Sequence, residues 1–228
     1  MHESGNDRVA AKSLSLCELG QYTEAAELLE QHKMYARAAA AWRLANDPAR
    51  AGGALERAGD LMGSLKIYEK ADMTKQAASV RARLEVVAGN HYEAALLFST
   101  AGQYKTALDH ARRANRADAA ATIYEAAGRP LTAAKQWIKL GKIEEAARAF
   151  TAGDKHMKAG ACWQKLGNHV EMAHSLARAG KHFEAGTILQ RAGELRLAVD
   201  YYEQVSGVSP HFEHAHLCRA DALLALGD

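Results

Sequence analysis

Cysteine and proline are scarce in this sequence and long apolar runs are missing. The cysteine pattern and the missing apolar runs each exclude a class of protein. The 228 residues include three cysteines and three prolines. Because Cys17, Cys162 and Cys218 are odd in number and far apart, we expect a reducing compartment and therefore a cytoplasmic protein. No run of about 18 apolar residues occurs, so we expect neither a membrane-spanning helix nor a membrane partner.

A charge excess and the motifs of known enzyme classes are also missing. Lys and Arg together number 29 and Asp and Glu 27, so no strong field attracts nucleic acid, and we expect no nucleic-acid partner. The sequence has no GxGxxG after a strand, no phosphate-binding loop, no HExxH and no GxSxG. It is therefore predicted to be non-enzymatic and to hold no cofactor, with every glycine assigned to a turn.

What the sequence does contain is a repeat of thirteen residues. Between Gly102 and Gly141 the unit occurs three times, opening at Gly102, Asn115 and Gly128, with alanine five residues after each opening. A unit this short cannot bury its own apolar face, so neighbouring units must stack to form a core.

The same register extends along most of the chain. One spacing, after Asp72, lengthens to seventeen residues, which predicts an extra helical turn. Pro48 and Pro130 each lie two residues after an opening, where proline suits a first helical position. Thirteen of the fourteen openings are Gly, Asn or Asp, the residues that tolerate the left-handed conformation at a helix end, and Lys33 is the exception. The fourteen are Gly20, Lys33, Asn46, Gly59, Asp72, Gly89, Gly102, Asn115, Gly128, Gly141, Asp154, Gly167, Gly180 and Gly193.

Each block predicts a short turn followed by a helix of about ten residues. Alanine fills the fifth position in twelve of the fourteen blocks, and most blocks place a large residue four positions later, all three tryptophans among them. Small and large residues one turn apart predict interlocking layers. The predicted fold is all-α, a right-handed α-solenoid of about sixteen short antiparallel helices.

We expect a single repeat domain over residues 1–228. Within it we distinguish N-terminal hairpins in 1–88, a compact array in 89–206 and a longer terminal hairpin in 193–228. The sequence stops at Gly227 and Asp228, on the opening residues of a further helix, so we expect a fragment of a longer protein.

The repeat unit resembles the second helix of a tetratricopeptide repeat (TPR). The resemblance rests on patterns such as Gly20-Tyr22-Ala25-Leu29, and the segment from Gly193 to Gly227 has the 34-residue length of that family. The other blocks use 26 residues per hairpin, which is similar to the compact arrays of coat and intraflagellar-transport scaffolds and of some bacterial multidomain regulators. The resemblance implies a curved surface that binds a partner protein, a peptide or another domain of the parent chain.

The resemblance also implies which residues contact the partner. In that family the first helix of each hairpin lines the concave side, and its groove positions correspond here to positions on the blocks opening at Gly102, Gly128, Asp154 and Gly180. The implied contact residues are Lys105, Asp109, Arg112, Lys135, Ile138, Met157, Gln164, Phe183 and Gln190.

Histidine is the residue type that leaves a second function open. Four histidines each lie two residues after an opening: His91, His156, His169 and His182. They are either turn residues that replace tyrosine or a ladder that binds metal or senses protons. His211, His214 and Cys218 share one helical face, which suits either zinc binding or packing of Cys218 in the core; we expect packing, with Cys17 and Cys162 likewise in the core, and no metal site. The alternative function is therefore a sensor solenoid that binds a small ligand or metal and controls an attached effector domain.

Overall fold

The computed structural model describes residues 5–227, and this part of the chain contains sixteen helices and no strand. The all-α class and the predicted number of helices are confirmed, and the chain is an α-solenoid. Residues 1–4 and Asp228 lie outside the described residues, and the expectation of a fragment stays a prediction. None of the helices within residues 5–227 has the length and apolarity needed to cross a bilayer.

The chain divides into two compact units, Met1–Arg116 and Ala117–Asp228. In the first unit each helix packs against the next along the chain. Its helices are α1 (Gly5–Glu18), α2 (Tyr22–Gln31), α3 (Tyr35–Leu44), α4 (Pro48–Ala58), α5 (Leu61–Lys70), α6 (Thr74–Val87), α7 (His91–Thr100) and α8 (Tyr104–Arg113).

The second unit contains the other eight helices, which also pack consecutively. They are α9 (Ala117–Ala126), α10 (Pro130–Lys139), α11 (Ile143–Ala152), α12 (His156–Lys165), α13 (His169–Arg178), α14 (His182–Arg191), α15 (Leu195–Glu203) and α16 (Phe212–Leu226). Pro48 and Pro130 begin their helices, as predicted, and α6 carries the predicted extra turn. The segments 1–88, 89–206 and 193–228 stay a prediction.

The thirteen-residue period follows from one type of helix end, repeated at every opening. All fourteen opening residues have positive φ, including Lys33 at 58°. After α2, the Lys33 N–H donates to the Glu30 carbonyl at 2.9 Å and the Met34 N–H to the Leu29 carbonyl at 2.8 Å. This pair of bonds is the Schellman motif, and it ends the helix and turns the chain within three residues. Ten helical residues and a three-residue turn therefore make up one unit.

Most of the predicted core positions are buried. Eleven of the twelve fifth-position alanines are at most 8% exposed, whereas Ala120 on α9 is half-buried. All three tryptophans, at the ninth position, are buried as predicted. Cys17, Cys162 and Cys218 also pack in or against core clusters, and all three are free thiols, which confirms the packing interpretation of these cysteines.

Four buried rings carry a polar atom that bonds to the preceding helix. In each case the ring donates to a Glu or Gln twelve residues earlier, so the bond satisfies a donor that burial has removed from water. The bonds are Trp42 Nε1 to Glu30 at 3.1 Å, Tyr68 Oη to Glu56 at 2.9 Å, Trp137 Nε1 to Glu125 at 2.7 Å and Tyr202 Oη to Gln190 at 2.6 Å. Burial, followed by the bond to Glu56, raises the pKa of Tyr68 to about 12.

The expectation that every glycine lies in a turn is wrong. Gly52 on α4 and Gly186 on α14 lie inside their helices, where an added Cβ would come within 2.3 Å of the Tyr68 ring and 2.7 Å of the Tyr202 ring. Both tyrosines are buried and hydrogen-bonded, so their rings have little freedom to move. These glycines leave space for a ring from the next helix.

Candidate functional site

The sequence-predicted contact residues of the first unit lie on α8. Lys105, Asp109 and Arg112 are all exposed, at the third, seventh and tenth positions after Gly102. These spacings place them on one face of the helix. Arg112 donates to Asp109 at 2.8 Å, and because both side chains are largely exposed the pair adds little to stability. The face therefore offers one exposed Lys beside an ion pair.

In the second unit, four of the predicted residues lie on α10 and α12. Lys135 and Gln164 are exposed, and the apolar Ile138 and Met157 are 45% and 49% exposed. Leu131, one turn before Lys135, lies over Gly153, where a Cβ would approach its Cδ2 to 2.4 Å. We call Lys135, Ile138 and Met157 the outer stripe.

The two predicted residues on α14 have contacts within their own unit. Phe183 is half-buried and stacks on the ring of His211, with centroids 4.7 Å apart and planes 7° apart. His214 meets the same ring edge-on at 5.4 Å. Gln190 Oε1 accepts a hydrogen bond from the Tyr202 hydroxyl, and the two oxygen atoms are 2.6 Å apart. Packing and hydrogen bonding therefore occupy much of both side chains.

The first unit contains a groove that the sequence did not predict. It opens between α3 and α5, with a volume of about 980 Å³, and Leu55 of α4 contributes to its wall. We call it the α3–α5 groove. Its apolar lining includes Leu44, which is 59% exposed, and Ile67, which is half-buried. The repeat register shows only that Leu44 and Ile67 lie outside the core positions. It does not predict the groove, because a groove depends on the distance between two helices that are not consecutive.

The cations and the carboxylates along the α3–α5 groove differ in whether they have bonding partners. Arg43, Lys66 and Lys70 are exposed, and in the described part of the chain none of them forms an ion pair. Asp47 and Asp60, which also line the groove, instead accept backbone N–H groups at the starts of α4 and α5, at 2.9 and 2.8 Å. The carboxylates therefore cap helices while the cations stay available.

Two histidines make a contact that the sequence did not predict. Nδ1 of His91 lies 3.2 Å from Nδ1 of His110, and His110 is buried and stacks on Phe98 with centroids 5.3 Å apart. Burial, followed by the nearby His91 and Arg113, holds the pKa of His110 below its ordinary value. The two residues are nineteen positions apart, and only the packing of α7 on α8 brings them together.

The histidines with proposed metal-binding roles lie in different surroundings. His156 and His182 have a buried Nδ1 without a hydrogen-bond partner, and His169 is exposed. His211 and His214 contact Phe183, while Cys218 packs in the cluster that contains Tyr202. Among residues 5–227, no three His, Cys, Asp or Glu side chains are grouped so that they could hold a metal ion.

Comparison with known proteins assigns no family to this chain. No protein-family model matches it, and no curated protein matches it. Its function must therefore be inferred from its own residues.

Proposed function

We propose that this chain is a non-catalytic, TPR-like scaffold that binds a partner protein, a peptide or another domain of its parent chain. The alanine and aromatic positions of the repeat are used by the core, so binding falls to the residues between them. The observation that carries the proposal is the exposure of the outer stripe, because Ile138 on α10 and Met157 on α12 are about half exposed and Lys135 on α10 is exposed.

The chemistry of the outer stripe suits a protein ligand. Exposed apolar side chains favour contact with another apolar surface, and Lys135, on the same helix as Ile138, adds a cation that orients such a contact. The face of α8 with Lys105 and Arg112 is the corresponding candidate in the first unit. The free thiols are consistent with a reducing compartment, and we propose a cytoplasmic location.

The test is affinity capture with paired variants. We expect the double variant Ile138→Asp and Met157→Asp to recover at least about tenfold less of the partners that the wild-type chain captures, because charge replaces the apolar contact. Lys105→Glu with Arg112→Glu tests the α8 face in the same way. The matched control is Leu217→Asp with Leu224→Asp, since these α16 side chains are 66% and 74% exposed.

An identical set and amount of partners for wild type and both variants would exclude the outer stripe and the face of α8 as binding surfaces. A wild-type chain that captures no partner would overturn the scaffold proposal itself. Circular dichroism of each variant must first show the wild-type helical signal, so that lost capture reports the surface rather than unfolding. Partners lost equally by the α16 control would also count against the outer stripe.

A sensor is the second candidate, and the contact between His91 and His110 favours it. A proton is the ligand that this pair would sense, because protonation of either ring puts charge beside its neighbour. We expect capture of at least one partner to change between pH 7.5 and pH 6. If neither partner capture nor the melting temperature responds to pH, zinc or nucleotides, the sensor function is excluded.

A further inference from the structure

We propose that the α3–α5 groove docks an acidic amphipathic helix of a partner protein. The inference rests on the proposed protein-binding function and adds a site and a ligand chemistry that the repeat register did not indicate. The site lies on α3, α4 and α5, and shares no residue with the outer stripe or with the face of α8.

The size and lining of the groove favour an apolar ligand surface. About 980 Å³ lies at the upper end of the range for small-molecule sites, roughly 300 to 1,000 Å³, and this groove is partly open to solvent. Leu44, Leu55 and Ile67 provide apolar contacts. An open groove with such contacts fits one side of an elongated segment better than a compact small molecule.

The cations along the groove favour acidic groups on that segment. Arg43 lies on α3, and Lys66 and Lys70 lie on α5. Arg43 and Lys70 fall in the last turns of their helices, where a cation also opposes the helix dipole, but Lys66 lies one turn earlier. The lining holds these three cations and two carboxylates, Asp47 and Asp60, each of which accepts a backbone N–H, so its net charge is positive.

The spacing of the lysines fits a helical ligand. Lys66 and Lys70 are four residues apart on α5, which separates them by about 6 Å along the helix axis. Carboxylates at i and i+4 of a helix lying along α5 have the same separation, while apolar residues at i+3 and i+7 face the groove. Nucleic acid fits less well, because the residues lining the groove include no aromatic ring for bases to stack on.

The experiment is a selection of displayed peptides on the full chain. A library of random sixteen-residue peptides is selected on the wild-type protein, and the enriched peptides are synthesised and measured by fluorescence anisotropy. We expect enriched sequences with an excess of Asp and Glu, in which acidic residues at i and i+4 accompany apolar residues at i+3 and i+7. We also expect helical circular dichroism of these peptides on binding.

Variants then locate the bound peptides. We expect Lys66→Glu with Lys70→Glu to weaken binding by about tenfold or more, and Leu44→Asp to do the same, because these changes remove the charge and apolar contacts. The control is Arg37→Glu with Lys75→Glu, which changes the net charge equally at exposed residues outside the groove, and its binding should stay within about twofold of wild type.

Several outcomes overturn the inference. They are no enrichment, enriched peptides without an acidic excess, and equal binding by the groove variants and the wild type. Competition by single-stranded DNA identifies nucleic acid as the occupant instead, and a dimer in light scattering that Lys66→Glu with Lys70→Glu dissociates identifies a second copy of the chain. If partners are still captured in a way that depends on the outer stripe, only the groove inference fails and the scaffold proposal stands.

Discussion

At the scale of single residues, Gly52 and Gly53 are neighbours on α4 with different surroundings. An added Cβ at Gly52 would lie 2.3 Å from Cε1 of the buried Tyr68, whereas at Gly53 the nearest atoms are 3.9 Å away. The Tyr68 ring therefore fits against α4 only because Gly52 has no side chain, while Gly53 has room for one.

We predict opposite effects of the same substitution at these two sites. Gly52→Ala should lower the free energy of unfolding by about 1–3 kcal/mol, because the Tyr68 ring must move. Gly53→Ala should raise it by up to about 1 kcal/mol, because alanine loses less backbone entropy in a helix. Urea unfolding followed by circular dichroism measures both. Equal effects at the two sites would contradict the packing of Tyr68 against α4.

His110 predicts a pH dependence of stability. Its pKa in the folded chain is lowered, mainly by burial, so at pH values just below the ordinary value of about 6.5 the unfolded chain binds more protons. The contribution of this group to stability is therefore fully present above about pH 6.5 and is lost as the pH falls toward the folded-state pKa. We expect the melting temperature to fall more between pH 7.5 and 5.5 in the wild type than in His110→Phe.

The phenylalanine variant keeps a ring against Phe98 while removing the titrating group. His169→Phe is the control, because His169 is exposed on α13. We expect this control to keep the wild-type pH dependence. A His110→Phe protein with the full wild-type pH dependence would show that His110 contributes nothing to it.

At the scale of helices, Lys33 is the opening residue least suited to its conformation. It has φ of 58° at the end of α2, where the other openings are Gly, Asn or Asp. A left-handed conformation costs a residue with a Cβ roughly 1–2 kcal/mol, and glycine avoids most of that cost. Lys33 is exposed and forms no ion pair among the described residues, so its side chain offers little to offset the strain.

We therefore expect Lys33→Gly to raise the free energy of unfolding by about 1 kcal/mol. Lys33→Ala removes the same side-chain atoms beyond Cβ without making the left-handed conformation easier, and it should give no such gain. Thermal unfolding of the two variants side by side is the measurement. Equal stability of Gly and Ala at this position would mean that the helix end carries no strain.

At the scale of the whole molecule, each of the two units has its own cores. In Met1–Arg116, one cluster joins α2, α3 and α4 and another joins α5 and α6. In a solenoid each helix is stabilised mainly by its neighbours, so a unit with its own cores can fold separately. We expect residues 1–116, expressed alone, to be helical by circular dichroism and to unfold cooperatively on heating. A coil spectrum for this fragment, beside a helical full chain, would contradict that independence.

The sequence predicted the helices well because their ends are encoded locally. Positive φ at Gly, Asn or Asp and proline at a first helical position depend on a few adjacent residues, and the structure has them where the repeat places them. The candidate site was predicted less completely. Lys105, Ile138 and Met157 are exposed, as a contact surface requires, but Phe183 and Gln190 also have contacts within their unit.

The sequence by itself therefore determined the all-α class, the turns of the repeat and most of the residues that form its core. The reason is that each position of the thirteen-residue period recurs at the same place on a helix or turn. Only the tertiary structure decided that Arg43 and Lys66 line one groove, that His91 contacts His110, and that Gly52 leaves space for Tyr68. These contacts join residues on different helices, and their geometry depends on how side chains of unequal size pack between those helices.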